Sequence, residues 1–138
     1  MADFIIAYNA TVKKWEGDYD TDPNDKGNWS SGVINVGVIT GTKCGLTAMD
    51  YKKVYGVTPT PEQMQGLTAE QILNIYQVTY WNYVHGDEIV NQPLANQLFD
   101  IAVNLGEGDA LRFAKQITNQ TNNGLFDELT VQKLNGQI

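Results

Sequence analysis

The sequence predicts a mainly α-helical protein with a small β-hairpin after its first helix. Three observations support this fold class. Apolar residues recur at helical spacing through most of the chain. Glycine and proline interrupt this pattern where short helices would end. The segment 33–40 has instead the β-branched composition of a strand, with glycines on both sides, which indicates a hairpin or a short irregular β excursion.

The N-terminal segment has the pattern of an amphipathic helix. Its apolar residues fall at the spacing of one helical face, which would pack against a core. Gly17 then supplies a natural left-handed stop. The residues of this apolar face are Phe4, Ile5, Tyr8, Val12 and Trp15.

Glu16 ends this helix and is the first candidate for a catalytic residue. It follows Val12 by one turn and lies beside Trp15, at the edge of the apolar face. Its carboxylate would face the negative end of the helix dipole and an indole ring, and both effects disfavour ionisation. We therefore expect the pKa of Glu16 to lie above that of a free glutamate. A carboxylic acid that keeps its proton near neutral pH suits the general acid of glycosidic bond cleavage.

The middle of the chain contains a polar loop and then further helices. Residues 18–28 are dense in Asp, Asn, Gly and Pro, which predicts the loop. Helical spacing resumes at Thr47 and stops at Gly56. Thr68 and Gln71 then form a capping box that opens the next helix.

Three more helices are predicted in the last third of the chain. The first begins near Pro93 and is apolar over more than half of its circumference, so we expect it to be the central helix. Asp100 and Asn104 belong to its polar strip. The other two helices are predicted at about residues 110–118 and 128–134.

Length and composition indicate a single folded domain. The chain has 138 residues, of which 18% are charged, and contains no low-complexity run. It lacks an apolar stretch of about 18 residues, so we expect no membrane insertion. The first residues do not resemble a secretory signal, and a lone cysteine, Cys44, forms no internal disulfide. Both observations favour a cytoplasmic location.

Charge and motif content argue against several classes of function. A net charge of −7 disfavours nucleic acid, which rewards basic patches. The lone His85 lacks the paired spacing of a zinc site, and nothing near Cys44 suggests a nucleophile with its base. A phosphate-binding glycine loop is also missing. We therefore expect neither a metal nor a cofactor.

Several short motifs occur in a fixed order along the chain. They are Glu16-Gly17-Asp18-Tyr19, Asp22-Pro23, Gly27, Gly45-Leu46-Thr47, Phe99-Asp100-Ile101-Ala102-Val103-Asn104-Leu105-Gly106 and Asn123-Gly124-Leu125-Phe126-Asp127-Glu128-Leu129-Thr130. Together they resemble glycoside hydrolase family 108, the muramidase-type lysozymes also described as secretion activator proteins. The chain departs from the family pattern at Asp18, which replaces a glycine, and at Lys26 and Asn28, which interrupt a glycine-rich turn.

This resemblance implies a single lysozyme-like domain that acts on peptidoglycan. About residues 1–92 would form the catalytic-type portion, and about residues 93–138 a helical, peptidoglycan-binding-like portion packed on it. The implied activity is that of an N-acetylmuramidase, which cleaves the β-1,4 bond between N-acetylmuramic acid and N-acetylglucosamine with Glu16 as acid. Its partners would be the glycan strands, bound by a monomer. It would leave the cytoplasm through a membrane pore, as phage and prophage endolysins do, or through an exporter.

The loop after the first helix also offers candidates for a second carboxylate, which glycoside hydrolysis usually needs. Asp22 matches the Asp-Pro of the family and ranks first, and Asp25 ranks second. Each would otherwise only form a turn, which is a common role of Asp in loops. A mechanism with one carboxylate stays open as an alternative.

Five further residues are candidates for substrate contact. Tyr19 would bond the partner carboxylate or stack on a sugar, or it simply packs behind the loop. Trp29 in a polar loop suggests a stacking platform. Thr47 would position the acid or merely cap the next helix. Asp100 and Asn104 are as compatible with a solvated edge as with a cleft wall.

Two other functions remain open. A non-catalytic wall-binding or secretion-associated module would keep the fold without turnover, and the departures at Asp18 and Lys26 and the acidic net charge favour it slightly. A chitinase-like enzyme would act on related N-acetyl sugars.

Overall fold

The computed structural model describes residues 1–12 and 19–137. Within these ranges the chain is mainly α-helical and contains one antiparallel sheet of two short strands, which confirms the predicted fold class. The elements are α1 Phe4–Thr11, β1 Tyr19–Asp20, β2 Thr42–Lys43, α2 Ala48–Tyr55, α3 Pro61–Gln65, α4 Ala69–Tyr76, α5 Gln92–Leu105, α6 Glu107–Ile117 and α7 Glu128–Leu134.

The described residues form two compact units. The first contains residues 1–12 and 76–137, and the second contains residues 19–75. The division into a catalytic-type portion and a wall-binding-like portion near residue 92 stays a prediction. In the described parts of the chain, no helix combines the length and the apolar character needed to cross a bilayer.

Helix α5 is the centre of the first unit, as its apolar circumference predicted. It packs against both α1 and α6 and buries one side of each turn. Phe99 on α5 meets the rings of Phe4 and Trp81, with centroids 5.8 and 5.9 Å apart and edge-to-face geometry. Such aromatic pairs contribute about 0.5–1.5 kcal/mol each beyond the area they bury.

Helix α1 buries most of the predicted apolar face: Phe4 and Val12 are buried and Tyr8 is half-buried, while Trp15 lies outside the described residues. Asp3 caps it by accepting the backbone N–H groups of the following residues. Phe4, Ala7 and Thr11 are the buried residues, at i, i+3 and i+7. Ile5 is 47% exposed, so its assignment to the core face is wrong. Its hydrophobicity fitted the pattern, but the buried face is centred on the small side chain of Ala7.

The hairpin follows the first helix as predicted, but different residues form it. Strand β1 pairs with β2 in the register Tyr19↔Lys43 and Asp20↔Thr42. The predicted β segment 33–40 consists of turns and a single bridge to residue 29. Asn35 and Gly37 have φ angles of 67° and 86°, and these left-handed conformations interrupt any strand.

The second unit also contains three capped helices. Thr47 and Asp50 form a capping box at the start of α2, which ends at Gly56 with φ 80°, as predicted. Helix α3 is an additional short element that Thr60 caps. The predicted capping box at Thr68 opens α4, which continues into one π-helical turn at Gln77–Trp81.

Within the first unit, a buried lysine on α6 holds the C-terminal helix α7. Lys115 on α6 is 2% exposed, and its Nζ donates to the Thr130 hydroxyl over 2.8 Å. Asp127 lies 3.4 Å from the same ammonium and caps α7 through the Thr130 backbone N–H. Hydrogen bonds from Thr130, supported by Asn123 and Lys115, hold the pKa of Asp127 well below its usual range. The loosely matching C-terminal motif therefore has a clear structural role.

Candidate active site

The candidate site consists of the loop between α1 and α2. Glu16, the predicted acid, lies outside the described residues, as do Gly17 and Asp18. From Tyr19 onward the loop is described in full, and it belongs entirely to the second unit. The other candidates in this loop are therefore considered through their own contacts.

Asn28 organises this loop from inside. Its side chain is completely buried, and its Nδ2 donates to Asp20 Oδ2 over 2.8 Å and to the Asp22 carbonyl over 2.9 Å. The backbone carbonyl oxygen of Asn28 accepts the backbone N–H groups of Thr40 and Gly41, at 3.0 and 3.1 Å. Asn28 thus connects the acidic turn to the segment that leads into β2.

The two candidate carboxylates have the local roles that turns require. Asp22 Oδ1 accepts the Asn24 backbone N–H over 2.9 Å, and Asp25 Oδ1 accepts the Gly27 backbone N–H over 2.9 Å. Both residues are exposed. In each, the other carboxylate oxygen accepts no hydrogen bond from the described residues. One oxygen therefore fixes each carboxylate within the turn.

Gly27 brings Asp25 and Thr47 together. A Cβ atom at Gly27 would lie 3.3 Å from both Asp25 Oδ1 and Thr47 Cγ2, and 3.7 Å from Thr42 Oγ1. These three side chains therefore surround one glycine. The hydroxyl of Thr47 also accepts the Asp50 backbone N–H over 3.3 Å, which is the cap function expected for it. No such contact relates Asp22 to Thr47 among the described residues.

Tyr19 and Trp29 are both anchored by their polar atoms. The Tyr19 hydroxyl donates to the Thr40 carbonyl over 2.6 Å, and its ring lies against Gly41, where a Cβ would come within 2.3 Å. Burial, followed by the negative charge of Glu62, raises the pKa of Tyr19. The Trp29 indole N–H donates to the Pro23 carbonyl over 2.9 Å, while the side chain remains partly exposed.

Several polar atoms beneath the loop were not identified from the sequence. Asn28 Oδ1, Thr40 Oγ1 and Thr42 Oγ1 are buried and have no hydrogen-bond partner within residues 1–12 and 19–137. Leaving a buried polar group unpaired costs about 1–3 kcal/mol. Because burial depends on tertiary packing, composition alone offered no signal for them, although Asn28 stood out as a departure from the family turn.

Asp100 and Asn104 belong to the first unit, on the exposed side of α5. Asn104 Nδ2 donates to Asp100 Oδ1 over 2.7 Å and to the Asp100 carbonyl over 3.0 Å. Asp100 also lines a shallow depression of about 290 Å³. The remaining lining residues are Ala10, Thr11, Asn96 and Gln97.

Metal binding receives no support from the described residues. Within residues 1–12 and 19–137, no group of three or more His, Cys, Asp or Glu side chains is arranged to hold a metal ion. The chemistry available in the described loop is therefore that of carboxylates, hydroxyls and carboxamides.

The mainly helical fold with its small hairpin is the lysozyme-like fold that the sequence predicted. A similar solved structure is that of Brucella abortus SagA, with a TM-score of 0.74 and 21% sequence identity, covering 98% of this chain and 70% of that chain. The family model for Glycosyl hydrolase 108 matches residues 9–106, and the protein belongs to this family. No curated protein sequence matches the chain.

The matched range includes every candidate site residue. It begins before Glu16 and ends after Asn104, while α7 lies beyond it. Family membership makes the protein a member of a glycoside-hydrolysing class and implies a glycan substrate.

Proposed function

We propose that this protein is an N-acetylmuramidase that cleaves the β-1,4 bond between N-acetylmuramic acid and N-acetylglucosamine in peptidoglycan. One observation carries the proposal: the glycosyl hydrolase match spans residues 9–106, including Glu16 and the whole acidic loop after it. The family supplies the reaction class, which is hydrolysis of a glycosidic bond. The Glu16 motif supplies the residue for its first step.

Glu16 is the general acid in this proposal. It transfers its proton to the bridging oxygen as the bond between that oxygen and the anomeric carbon breaks. The positive charge that develops on the sugar ring requires a nearby carboxylate or an activated water. The new reducing end would carry N-acetylmuramic acid.

Asp25 is the better supported of the two second carboxylates. The Gly27 N–H fixes one of its oxygens, and its position against Gly27 places it beside Thr47 of the Gly45-Leu46-Thr47 motif. A carboxylate fixed by packing and hydrogen bonds is better preorganised for catalysis than a free one. Asp22 lacks the contact with Gly27 and is therefore the second choice, although it matches the Asp-Pro of the family.

The remaining candidates have supporting roles in this proposal. Trp29 offers a partly exposed ring to a sugar, since its N–H is already bonded. Tyr19 holds the turn at Gly41, because its hydroxyl is bonded to the Thr40 carbonyl. Asp100 and Asn104 contact the wall polymer from their exposed helix face. The protein would act as a monomer, after release or export from the cytoplasm to the wall.

Reducing-end release from purified peptidoglycan tests the proposal. Wild type should release ends that mass spectrometry identifies as N-acetylmuramic acid, whereas Glu16→Gln should release none while keeping its circular dichroism spectrum. Asp25→Asn and Asp22→Asn, measured beside them, identify the second carboxylate. Glu70→Gln, an exposed charge on α4, is the matched control and should retain full activity. Full activity of Glu16→Gln would exclude it as the acid.

A non-catalytic wall-binding module is the second candidate. Its support is that Asp22 and Asp25 each use one oxygen to form an ordinary turn. In addition, Lys26 and Asn28 interrupt the glycine-rich turn of the family. Such a module would sediment with insoluble peptidoglycan and release no reducing ends. Chitin oligomers in the same assay test the chitinase-like alternative.

A further inference from the structure

We infer that the depression beside Asp100 binds a primary ammonium group of the wall polymer. This inference rests on the proposed function, which makes peptidoglycan the substrate, and it names the chemistry of one subsite. The depression lies within the first unit, between residues of α1 and α5.

Charge is the first argument. Asp100 is the one charged residue among the five that line the depression, and the others are neutral. Among the described residues it forms no ion pair. Asn104 holds Asp100 Oδ1 over 2.7 Å, while Oδ2 accepts no hydrogen bond from the described chain. Among the described residues, the depression therefore presents an oriented carboxylate without a paired cation.

The neutral lining is the second argument. Asn96, Gln97 and Thr11 provide amide and hydroxyl groups that donate to and accept from a polar ligand. Gln92 Nε2 donates to Asn96 Oδ1 over 2.7 Å and thereby fixes that amide. A carboxylate repels the acidic groups of peptidoglycan, and a sugar hydroxyl donates a hydrogen bond to it but offers no opposite charge. An ammonium group flanked by polar atoms satisfies both features of the lining.

Size is the third argument. A volume of about 290 Å³ lies at the lower end of ligand sites, which run from about 300 to 1,000 Å³. The depression therefore suits one side chain or one amino group better than a disaccharide. Peptidoglycan supplies a primary ammonium from two sources: the diamino acid of the stem peptide and de-N-acetylated glucosamine.

The expected effect is small because the pair is exposed. Exposed ion pairs change an equilibrium by about two- to fivefold and weaken as salt rises. Asp100→Asn retains an oxygen for Asn104, so the fold should be preserved. The matched control is Glu70→Gln, which removes an exposed charge on α4, outside the depression and outside the peptidoglycan-binding-like portion.

Binding to polymer measures this effect without requiring turnover. All variants carry Glu16→Gln as well, and dissociation constants are compared on intact peptidoglycan and on the same polymer with its amines acetylated. Asp100→Asn should weaken binding to intact polymer about two- to fivefold in about 0.05 M salt, and much less in about 0.5 M salt. Acetylation of the polymer should weaken binding of the protein that retains Asp100 by the same factor as the Asp100→Asn substitution does. It should leave the binding of Asp100→Asn unchanged.

Three comparisons decide the outcome. Equal binding of Asp100→Asn and the Glu70→Gln control would overturn the inference, as would an equal loss of binding by the protein that retains Asp100 and by Asp100→Asn when the polymer is acetylated. Strands freed of stem peptide by an amidase separate the two sources: an effect lost there assigns the stem-peptide amine, and an effect retained assigns the glucosamine amine. Reducing-end release by wild type is scored separately, so a failed muramidase proposal is distinguished from a failed ammonium subsite.

Discussion

Truncation of Lys115 should destabilise the protein mainly through lost packing. Its side chain is almost fully buried, and its Nζ reaches Thr130 and Asp127. Lys115→Ala removes three methylene groups, which at about 0.8 kcal/mol each amount to about 2.4 kcal/mol. It also removes hydrogen bonds of a charged donor, but the desolvation cost of a buried ammonium disappears with them.

Lys115→Met separates these two contributions. Methionine keeps the length of the side chain and most of its packing while removing the charge. Thr130 stays satisfied in this variant, since its hydroxyl also bonds Asp127 over 2.6 Å. We therefore expect Lys115→Met to lie within about 1 kcal/mol of wild type, because the remaining Asp127 is partly exposed and keeps its hydrogen bonds from Thr130, so no buried charge is left unpaired. Lys115→Ala should lose about 2–3 kcal/mol.

Urea unfolding followed by circular dichroism measures both variants. For a chain of this length, about 1 kcal/mol corresponds to roughly 3–5 °C in Tm, so thermal unfolding provides an independent check. Lys115→Arg is a useful control, because it keeps the charge but must fit a larger planar head into a filled site. Equal destabilisation by Met and Ala would refute the reasoning and assign the stability to the ion pair.

Two further predictions concern the loop and the response to acid. Gly27→Ala places a Cβ 3.3 Å from Asp25 Oδ1 and Thr47 Cγ2, so these atoms must shift by a few tenths of an ångström. We expect turnover of peptidoglycan to fall by up to about tenfold with little loss of stability; unchanged kcat would show that this glycine does not position the site. Because the pKa of Asp127 is lowered on folding, its contribution to stability is present above the unfolded value of 3.8 and is lost as pH falls below it. In Asp127→Asn, the free energy of unfolding measured in urea should fall less steeply below pH 3.8 than in wild type. An unchanged dependence on pH would assign the acid sensitivity to other carboxylates.

Local signals predicted most of the helices because caps act over three or four residues. The capping boxes at Thr47 and Thr68, and the left-handed Gly56, were readable from adjacent letters. The hairpin was placed wrongly for the opposite reason. Ser31 Oγ donates to the Val36 carbonyl and accepts the Val33 N–H, which closes the segment into turns despite its β-branched composition.

Burial of polar residues was not predictable in the same way. Lys115 in an amphipathic helix has the pattern of a surface residue, and its buried position depends on Asp127 and Thr130, 12 and 15 residues away. Asn28 likewise became important only through contacts with Asp20 and the backbone of Thr40. The bonds of the Lys115 ammonium and of the Asn28 Nδ2 both go to partners that come together only in the folded chain.

The π-helical turn that extends α4 changes the direction in which the next side chains of the helix point. The Asn82 N–H donates to the Gln77 carbonyl over 2.9 Å, across five residues instead of four. Each residue of an α-helix advances the chain by about 100°, so this widened turn rotates the following side chains by about that angle relative to an uninterrupted helix. Trp81, the last residue of this turn, is fully buried, and its ring meets that of Phe99 edge to face. Deleting one residue within 77–81 would convert the widened turn into a regular α-helical turn and rotate the Trp81 indole away from Phe99. The number of residues in this segment therefore matters as much as their identity.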